Sequence, residues 1–381
     1  MGGYSKNSED YQGFWKNWRG IIYMSHRKLE QAAKGMSYNL HFIRFIAAML
    51  VIMSHSFALS VGDFDNEWFY VATDTQITMG AFAVGIFFFY SGFLIMRSLE
   101  KKSKVSEFIV GRCVRIFPVL IVVVFLTVLV VGPIATSYSL QEYFGSRGTY
   151  EYFLNCIFVL KHTLPGVFEN NIYTATINGA LWTLPVEFVC YILCLIACKM
   201  KIPTPRIMWI TVPIVAVGSG GICFIAERWG IEMLTTVLFP VVCFYVGALM
   251  CVYKKHIILD MKIFIACLIL FAMSIFMGMM KIGFVLFFLY VLIYLAFGSR
   301  SMKGKAYKLG NYSYAMYLCG FPIQQLIVWA NGGRMDPVYN MLIAIPFIMA
   351  ISVLLYYFVE EKTINLYKAR LKNGRSNKKS H

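Results

Sequence analysis

The sequence predicts an all-α integral membrane protein with about ten transmembrane helices and with both termini in the cytoplasm. Hydrophobic residues make up 59% of the 381-residue chain and charged residues only 14%, and the mean hydropathy is +0.65. Apolar runs recur along the whole chain, and Trp and Tyr lie near their ends, as in interfacial belts. This composition is typical of a membrane protein, and we expect one membrane domain without a soluble second domain.

The predicted helices follow the apolar runs in order. They are placed at residues 38–60, 78–98, 114–134, 180–199, 207–226, 232–253, 263–280, 282–299, 310–330 and 338–358. Only Lys281 separates the seventh helix from the eighth, so these two are short. The flanking segments are predicted to be a basic cytoplasmic segment at 1–37 and a basic cytoplasmic tail at 359–381. The first of them, with Trp15 and Trp18 among its basic residues, fits either an amphipathic surface helix or a solvated tail.

The distribution of charge gives the predicted orientation. With the N-terminus inside, the predicted outer loops contain five of the 35 Lys and Arg residues, namely Arg147, Lys161, Arg228, Lys281 and Arg334. Basic residues of short loops concentrate on the cytoplasmic side of membrane proteins. The net charge of +16 is therefore explained by topology, and we expect no nucleic acid as a partner.

The ten cysteines form no CxxC pair and no Cys/His spacing typical of a metal site. Cys190, Cys194 and Cys198 recur every four residues on one face of a predicted helix, where small apolar residues pack helices together. We therefore predict neither a structural disulfide nor a bound metal.

The first predicted helix carries two ionisable residues, Arg44 near one end and His55 near the other. They are eleven residues apart, so they share one helical face and lie about 16 Å apart along the axis. An ionisable side chain within a spanning helix is costly and is a candidate for function. Alternatively, Arg44 fixes helix packing through a carbonyl or carboxylate partner.

Three more polar residues need an explanation. Arg112 and Arg115 lie three residues apart at the start of the third helix and can form bidentate contacts to phosphate oxygens, although they could also be simple interfacial anchors. Glu187 lies two turns into the fourth helix, which is predicted to run inward. We expect its carboxylate at the depth of His55, where it would hydrogen-bond to the imidazole and orient it, or form a buried pair without chemistry.

Together these residues predict acyl transfer across a membrane. A cytosolic acyl-coenzyme A carries phosphates for the arginines, and the acceptor hydroxyl outside needs a general base such as a neutral imidazole. Ser54, Ser91 and Trp182 are candidate donors to the oxyanion of the tetrahedral intermediate. The outer loops 61–77 and 135–179 could hold a hydroxyl-rich acceptor or be ordinary solvated loops.

Several motifs resemble those of the acyltransferase-3 family of bacterial inner-membrane acyltransferases, which O-acylate exported polysaccharides, lipopolysaccharide and related glycans. The motifs are Arg-x10-His (Arg44 and His55), SGF (Ser91 to Phe93), RxxR (Arg112 and Arg115), WTLPVEF (with Trp182 and Glu187) and the late segment NYSYAMYLCGFP. The resemblance covers residues 38–358, which we treat as one transmembrane acyltransferase domain. It departs from the family pattern at His41, where many members have an acidic residue, and at Gly320, where many have a histidine.

The resemblance implies an acyl-CoA donor, commonly acetyl-CoA, a carbohydrate acceptor, and a multi-pass location in the bacterial inner membrane. The site residues that we assign are His55 and Glu187 to catalysis, Arg44, Arg112 and Arg115 to the donor, and Trp182 and Ser91 to substrate binding.

Two other functions stay open. A transporter or flippase of a polysaccharide or lipid-linked sugar could use the same polar core, and would move glycan independently of CoA. A family member without activity could serve as a structural partner in an envelope assembly, although the joint presence of Arg44, His55 and Glu187 argues against this.

Overall fold

The protein is described by a computed structural model over residues 27–35, 37–101, 104–201, 232–300 and 306–376. The long helices of these ranges are α1 Tyr38–Val61, α2 Met79–Lys101, α3 Val105–Ala135, α4 Gly179–Lys199, α5 Glu232–Val252, α6 Met261–Phe276, α7 Met280–Gly298, α8 Ser313–Ala330 and α9 Pro337–Asn373. The predictions for Trp15 and Trp18 and for a helix at 207–226 lie outside the described residues.

Each of these helices coincides with a predicted span. Six of them are long and apolar enough to cross a membrane by length and composition, and α5 and α6 contain shorter apolar stretches. The chain is therefore an all-α, multi-pass membrane protein. The division between α6 and α7 lies at Gly278, whose φ of +71° suits a glycine, a few residues before the predicted break at Lys281.

The last helix does not end where the apolar sequence ends. A π-helical turn at Tyr356–Glu360 follows the apolar part of α9, and the helix then continues as Glu361–Ser376. π-Helical turns within α-helices are frequent at functional sites. The predicted boundary between the membrane domain and a separate tail at 359 is therefore not a break in the backbone, and Glu360 is buried within the fold.

The remaining secondary structure is short. The two-residue strands β1 (Arg27–Lys28) and β2 (Ile258–Leu259) pair antiparallel. The short helical segments are Leu29–Ala32, Trp68–Ala72, Leu140–Gly145, Arg147–Glu151, the 3-10 turn Tyr152–Ile157 and the 3-10 helix Ala306–Tyr312. Within the predicted loop 135–179, residues 152–160 are apolar but form only this 3-10 turn and its continuation, and the Phe158 ring packs 5.0 Å from Phe117 of α3.

The two ends of the helical bundle are named here after α1. The arginine side is the end where α1 begins, nearer Arg44, and the histidine side is the end beyond His55. Residues 136–178 form a folded layer on the histidine side, between the end of α3 and the start of α4. This layer packs on α3 through buried Tyr143, Tyr152 and Phe168.

Helices α2 and α5 are in backbone contact through two glycines. A Cβ atom on Gly92 would lie 2.0 Å from the carbonyl oxygen of Phe244, and a Cβ on Gly247 would lie 2.0 Å from that of Phe89. Glycine is required at both positions, because small residues allow helix backbones in membranes to approach this closely. Any side chain at either position forces the two helices apart.

We expect Gly92→Ala to lower the free energy of unfolding by about 1–3 kcal/mol, the usual cost of overpacking a well-packed core. The measurement is the thermal midpoint of the detergent-solubilised protein. Gly145→Ala is the matched control, since a Cβ there has nothing within 4 Å. Equal midpoints for the two variants would contradict the close contact of α2 and α5.

Candidate active site

A cavity of 280 Å³ lies among α1, α2, α3, α4 and α8, toward the arginine side. Its polar lining includes Arg44, Ser91, Arg112, Arg115, Glu187 and Tyr317. The structure therefore brings together the three predicted donor-binding arginines, which come from two different helices. It also brings Glu187 and Ser91 to the same cavity.

The three guanidinium groups have no carboxylate within 4 Å in the described ranges. Instead, Arg44 lies over the ring of Phe87 and Arg112 over the ring of Phe108, each with its Cζ 6.0 Å from the ring centroid. The Nε of Arg112 is buried and has no hydrogen-bond partner. Guanidinium groups that face a cavity are suited to an anionic ligand, because the arginine fork matches phosphate oxygens.

Glu187 is held by two hydroxyl groups. Ser91 Oγ and Tyr191 OH each donate to its Oε1 atom at 2.5 Å, and the two hydroxyls are 3.0 Å apart. Both bonds use the same oxygen, and within the described ranges Oε2 receives none. The carboxylate therefore keeps an acceptor for the cavity, and its charge balances part of the arginine charge within electrostatic range.

The expected hydrogen bond between Glu187 and His55 is not formed, and this part of the sequence interpretation is corrected. Helix α4 begins at the depth of His55, because Gly179 packs against Phe321, whose ring centroid is 5.1 Å from that of His55. Glu187 is eight residues further along, about 12 Å deeper. The prediction failed because it started α4 at the outer surface, whereas the layer 136–178 covers its first turn.

His55 is open to a partner. Its ring is partly exposed and contacts Phe321 edge-on, and it makes no hydrogen bond to any residue of the described ranges. Tyr173, from the layer on the histidine side, packs 6.1 Å from the same Phe321 ring. Within the described ranges neither imidazole nitrogen has a partner, so in the neutral ring one nitrogen can accept a proton from a substrate while the other donates its N–H.

The other predicted residues have mixed positions. Trp182 is partly exposed and is not among the residues that line the cavity, so its role in substrate binding stays a prediction. Ser54 donates its hydroxyl to Glu67, so that proton is not directed at a substrate. Gly320 is packed against Ile52, and a Cβ there would lie 3.3 Å from its Cγ1, which leaves little room for a histidine.

Several residues of the site escaped the sequence interpretation. Tyr191 is one turn beyond Glu187 on α4, and this spacing could have indicated it. Tyr314 and Tyr317 line the cavity from α8, inside the late segment NYSYAMYLCGFP, in which we predicted no site residue. Glu360 is 5% exposed and lies within electrostatic range of Arg115 and Arg44, but it follows the last apolar run and was assigned to the tail.

Glu67 anchors the acidic loop 61–77 beside α1. Its carboxylate accepts the Ser54 hydroxyl and, at 3.1 and 2.9 Å, the backbone N–H of Met79 at the start of α2. The side chain is fully buried, whereas Asp63 and Asp65 of the same loop are exposed. Burial raises the pKa of Glu67, although these hydrogen bonds oppose the rise.

Asn178 joins α4 to α8 at a proline. Pro322 has no N–H, so the carbonyl of Leu318 lacks its helical donor. The Nδ2 of Asn178 donates to that carbonyl at 2.8 Å, while its Oδ1 accepts from the N–H of Ala180 at 3.1 Å. The Asn178 side chain therefore supplies the hydrogen-bond donor that Pro322 removes from α8, and it also caps the first turn of α4.

Fold and site together define a multi-pass membrane protein with a cavity lined by three arginines on one side and, towards the other, an imidazole that has no hydrogen-bond partner in the described ranges. The chain belongs to the acyltransferase-3 family: the family described as an acyltransferase domain matches residues 37–357. It is an acyltransferase.

Two relatives are similar to the chain. It is 29% identical to a protein named O-acetyl transferase from Shigella phage Sf6, over 86% of this chain and 96% of that protein. It is 31% identical to nodulation protein 10 of Rhizobium leguminosarum bv. viciae, over 42% of this chain and 44% of that protein. No solved structure gives a significant match.

The buried carboxyl of Glu67 predicts a pH dependence of stability. Because its pKa is higher in the folded state, its contribution is fully present below the unfolded pKa and is lost as pH rises through the folded pKa. We expect the thermal midpoint of Glu67→Gln to fall less than that of the wild type as pH rises from about 4.3. Asp63→Asn, in the same loop but exposed, is the control and should follow the wild type; identical slopes for all three proteins would contradict the assignment.

The Asn178 bridge predicts coupling to Pro322. Asn178→Ala leaves a buried carbonyl without a donor and should cost about 1–3 kcal/mol of stability. In a Pro322→Ala background the helix regains its own N–H, so the same change should cost less. A double-mutant cycle of unfolding free energies measures the difference. Strict additivity would show that the two residues act independently.

Proposed function

We propose that this protein is an O-acetyltransferase of the bacterial inner membrane, which moves an acetyl group from cytosolic acetyl-CoA to a hydroxyl of an exported or cell-envelope glycan. The observation that carries the proposal is the convergence of Arg44, Arg112 and Arg115 on one cavity. Arg44 shares α1 with His55, about 16 Å further along the membrane-spanning axis. An anionic donor on one side and a base towards the other are the two requirements of transfer across a bilayer.

The cavity fits part of the donor. Its 280 Å³ is at the lower limit of the roughly 300–1,000 Å³ typical of pockets for drug-sized ligands. It can therefore hold phosphate groups and part of the arm but not an entire coenzyme A. The arginines would bind the phosphates, and the thioester end would extend towards His55. With the basic loops inside, the cavity faces the cytoplasm, where acetyl-CoA is made available.

His55 would act on the acceptor. A neutral imidazole accepts the proton of the acceptor hydroxyl as its oxygen attacks the thioester carbonyl. The CoA thiolate then leaves and takes up that proton from the imidazolium, which restores the neutral imidazole. A transient acyl-imidazole is the alternative route through the same side chain. Its partial exposure and its free nitrogens support either role.

Glu187 has a different role from the one that its sequence position suggested. It lies with the arginines, so we place it in the donor site, where its charge limits the repulsion among the guanidinium groups. Ser91 supports it by a direct hydrogen bond. Orientation of His55 by Glu187 is not retained in this mechanism.

The phage relative supports acetyl as the acyl group, since the similarity extends over 96% of a protein named O-acetyl transferase. The carbohydrate acceptor follows from the family resemblance, because acyltransferase-3 proteins modify glycans. Acetyl and glycan are therefore the chemistry to test first.

The test is acetyl-CoA turnover by inside-out vesicles supplied with a glycan extract. We expect His55→Ala to lower the rate at least about 100-fold, as for loss of a general base. Arg112→Ala should chiefly raise KM for acetyl-CoA, by about tenfold to 100-fold, since it removes charge-assisted bonds to phosphate. Free CoA release is the readout.

Arg147→Ala is the matched control, because Arg147 is an exposed arginine on the histidine side that pairs with Glu151. It should leave both rate and KM unchanged. If the wild type neither binds nor consumes acetyl-CoA while glycan still crosses the vesicle membrane, the transporter alternative replaces the proposal.

A further inference from the structure

Of the residues of α8 that line the cavity, Tyr317 is the one nearest along the helix to Phe321, which contacts His55. It lines the cavity, and its hydroxyl lies 2.8 Å from Thr183 Oγ1 and donates to the carbonyl of Ala180 at 3.0 Å. Its ring packs 6.0 Å from Phe87, which in turn lies under Arg44. The hydroxyl therefore ties α8 to the first turns of α4 at the end of the arginine cavity.

Phe321 adds a second layer one helical turn further along α8. It lies on the same helical face as Tyr317, contacts the ring of His55 at 5.1 Å, and packs against Gly179 at the start of α4. We call Tyr317 and Phe321 the aromatic partition. Both rings lie against the same turns of α4, between the arginines and the imidazole.

The face of α1 between Arg44 and His55 is closely packed. Ala48 is 0% exposed and Val51 is 3% exposed, and both are packed in the apolar core. A donor arm that extends from the arginines along α4 and α8 meets the aromatic partition before it reaches the imidazole.

The partition stands where regular helical hydrogen bonding is interrupted. Pro322 removes a backbone donor from α8, and Asn178 takes its place only through a side-chain bond. The first turn of α4, Gly179–Trp182, is 3-10 helical. Helices bend at breaks of this kind. The two aromatic rings can therefore move without breaking the backbone hydrogen bonds of a regular helix.

We propose that Tyr317 is a positioning residue that gates the passage between the arginine cavity and His55, with Thr183 as its latch. The proposal rests on the acyl-transfer function proposed above. When the Tyr317–Thr183 bond opens, the thioester arm reaches the imidazole. When it is closed, water on the arginine side is separated from the histidine side, and the membrane stays sealed.

The first experiment measures the barrier without any catalysis. His55→Cys is treated with a negatively charged methanethiosulfonate reagent in inside-out and right-side-out vesicles, and vesicles with His55 intact correct for the ten native cysteines. With Tyr317 present, we expect labelling from the histidine side only. Tyr317→Phe, which keeps the ring, should raise labelling from the arginine side about five- to tenfold, the effect of losing one or two hydrogen bonds.

Thr183→Val removes the bond between Tyr317 and Thr183 but leaves the bond from Tyr317 to the carbonyl of Ala180, so it should raise labelling by no more than Tyr317→Phe does. The double variant should give no more than Tyr317→Phe alone, because that change already removes both bonds of the hydroxyl. Tyr143→Phe is the matched control: it also loses a buried bond from a tyrosine hydroxyl to a carbonyl, that of Val128, away from the partition. Labelling from the arginine side that is unchanged in both Tyr317→Phe and Thr183→Val would overturn the proposal.

The second experiment measures acetyl-CoA hydrolysis without acceptor. In this side reaction water attacks the thioester carbonyl and releases acetate and the CoA thiol. Because Tyr317→Phe cannot form the hydrogen bond to Thr183, we expect this variant to hydrolyse acetyl-CoA about five- to tenfold faster than the wild type. A purely structural defect would lower both hydrolysis and transfer, which overturns a gating role.

The two readouts separate the gate from the proposed function. If labelling rises as expected while no variant or wild type consumes acetyl-CoA, the gate stands and the acetyltransferase proposal fails. If acetyl-CoA is consumed but labelling is unaffected, the acetyltransferase stands and the gate fails.

Discussion

The convergence of three guanidinium groups on one cavity, with no carboxylate within 4 Å of them in the described ranges, is the constraint on which the structure depends. A cation inside a spanning segment is costly. Here the cost is shared: Phe87 and Phe108 contact two of the cations, and Glu187 and Glu360 lie within electrostatic range. These four groups come from α2, α3, α4 and α9, so the positions of most of the bundle are linked to the same charge cluster.

The apolar pattern predicted the helices of the described residues well, because burial in a bilayer dictates length and composition alone. The spacing of Arg44 and His55 on α1 was equally predictable from the sequence, since both residues belong to one helix. The error over Glu187 has another origin. How far two helices are displaced along their axes depends on the layer 136–178, and no periodicity in α4 reports that displacement.

The position of Glu360, near the C-terminal end of the chain, was likewise not predictable from the sequence. Its sequence context, just past the last apolar run and before basic residues, is that of a cytoplasmic tail. The π-helical turn at Tyr356–Glu360 and the continuing helix place it in the interior instead. No simple sequence pattern predicts a π turn. The burial of Glu360 therefore depends on tertiary contacts that the sequence does not reveal.

The glycine contact between α2 and α5 makes one wall of the cavity stiffer than the other. With backbones that touch at Gly92 and Gly247, these helices form a stiff wall, and Ser91 lies in that wall next to Gly92. The wall made by the first turn of α4 and the proline-broken α8 is joined by apolar packing and by the side-chain hydrogen bonds of Asn178, Thr183 and Tyr317. We therefore expect the wall formed by α2 and α5 to keep its shape. Any change in the shape of the cavity then occurs at the wall formed by α4 and α8.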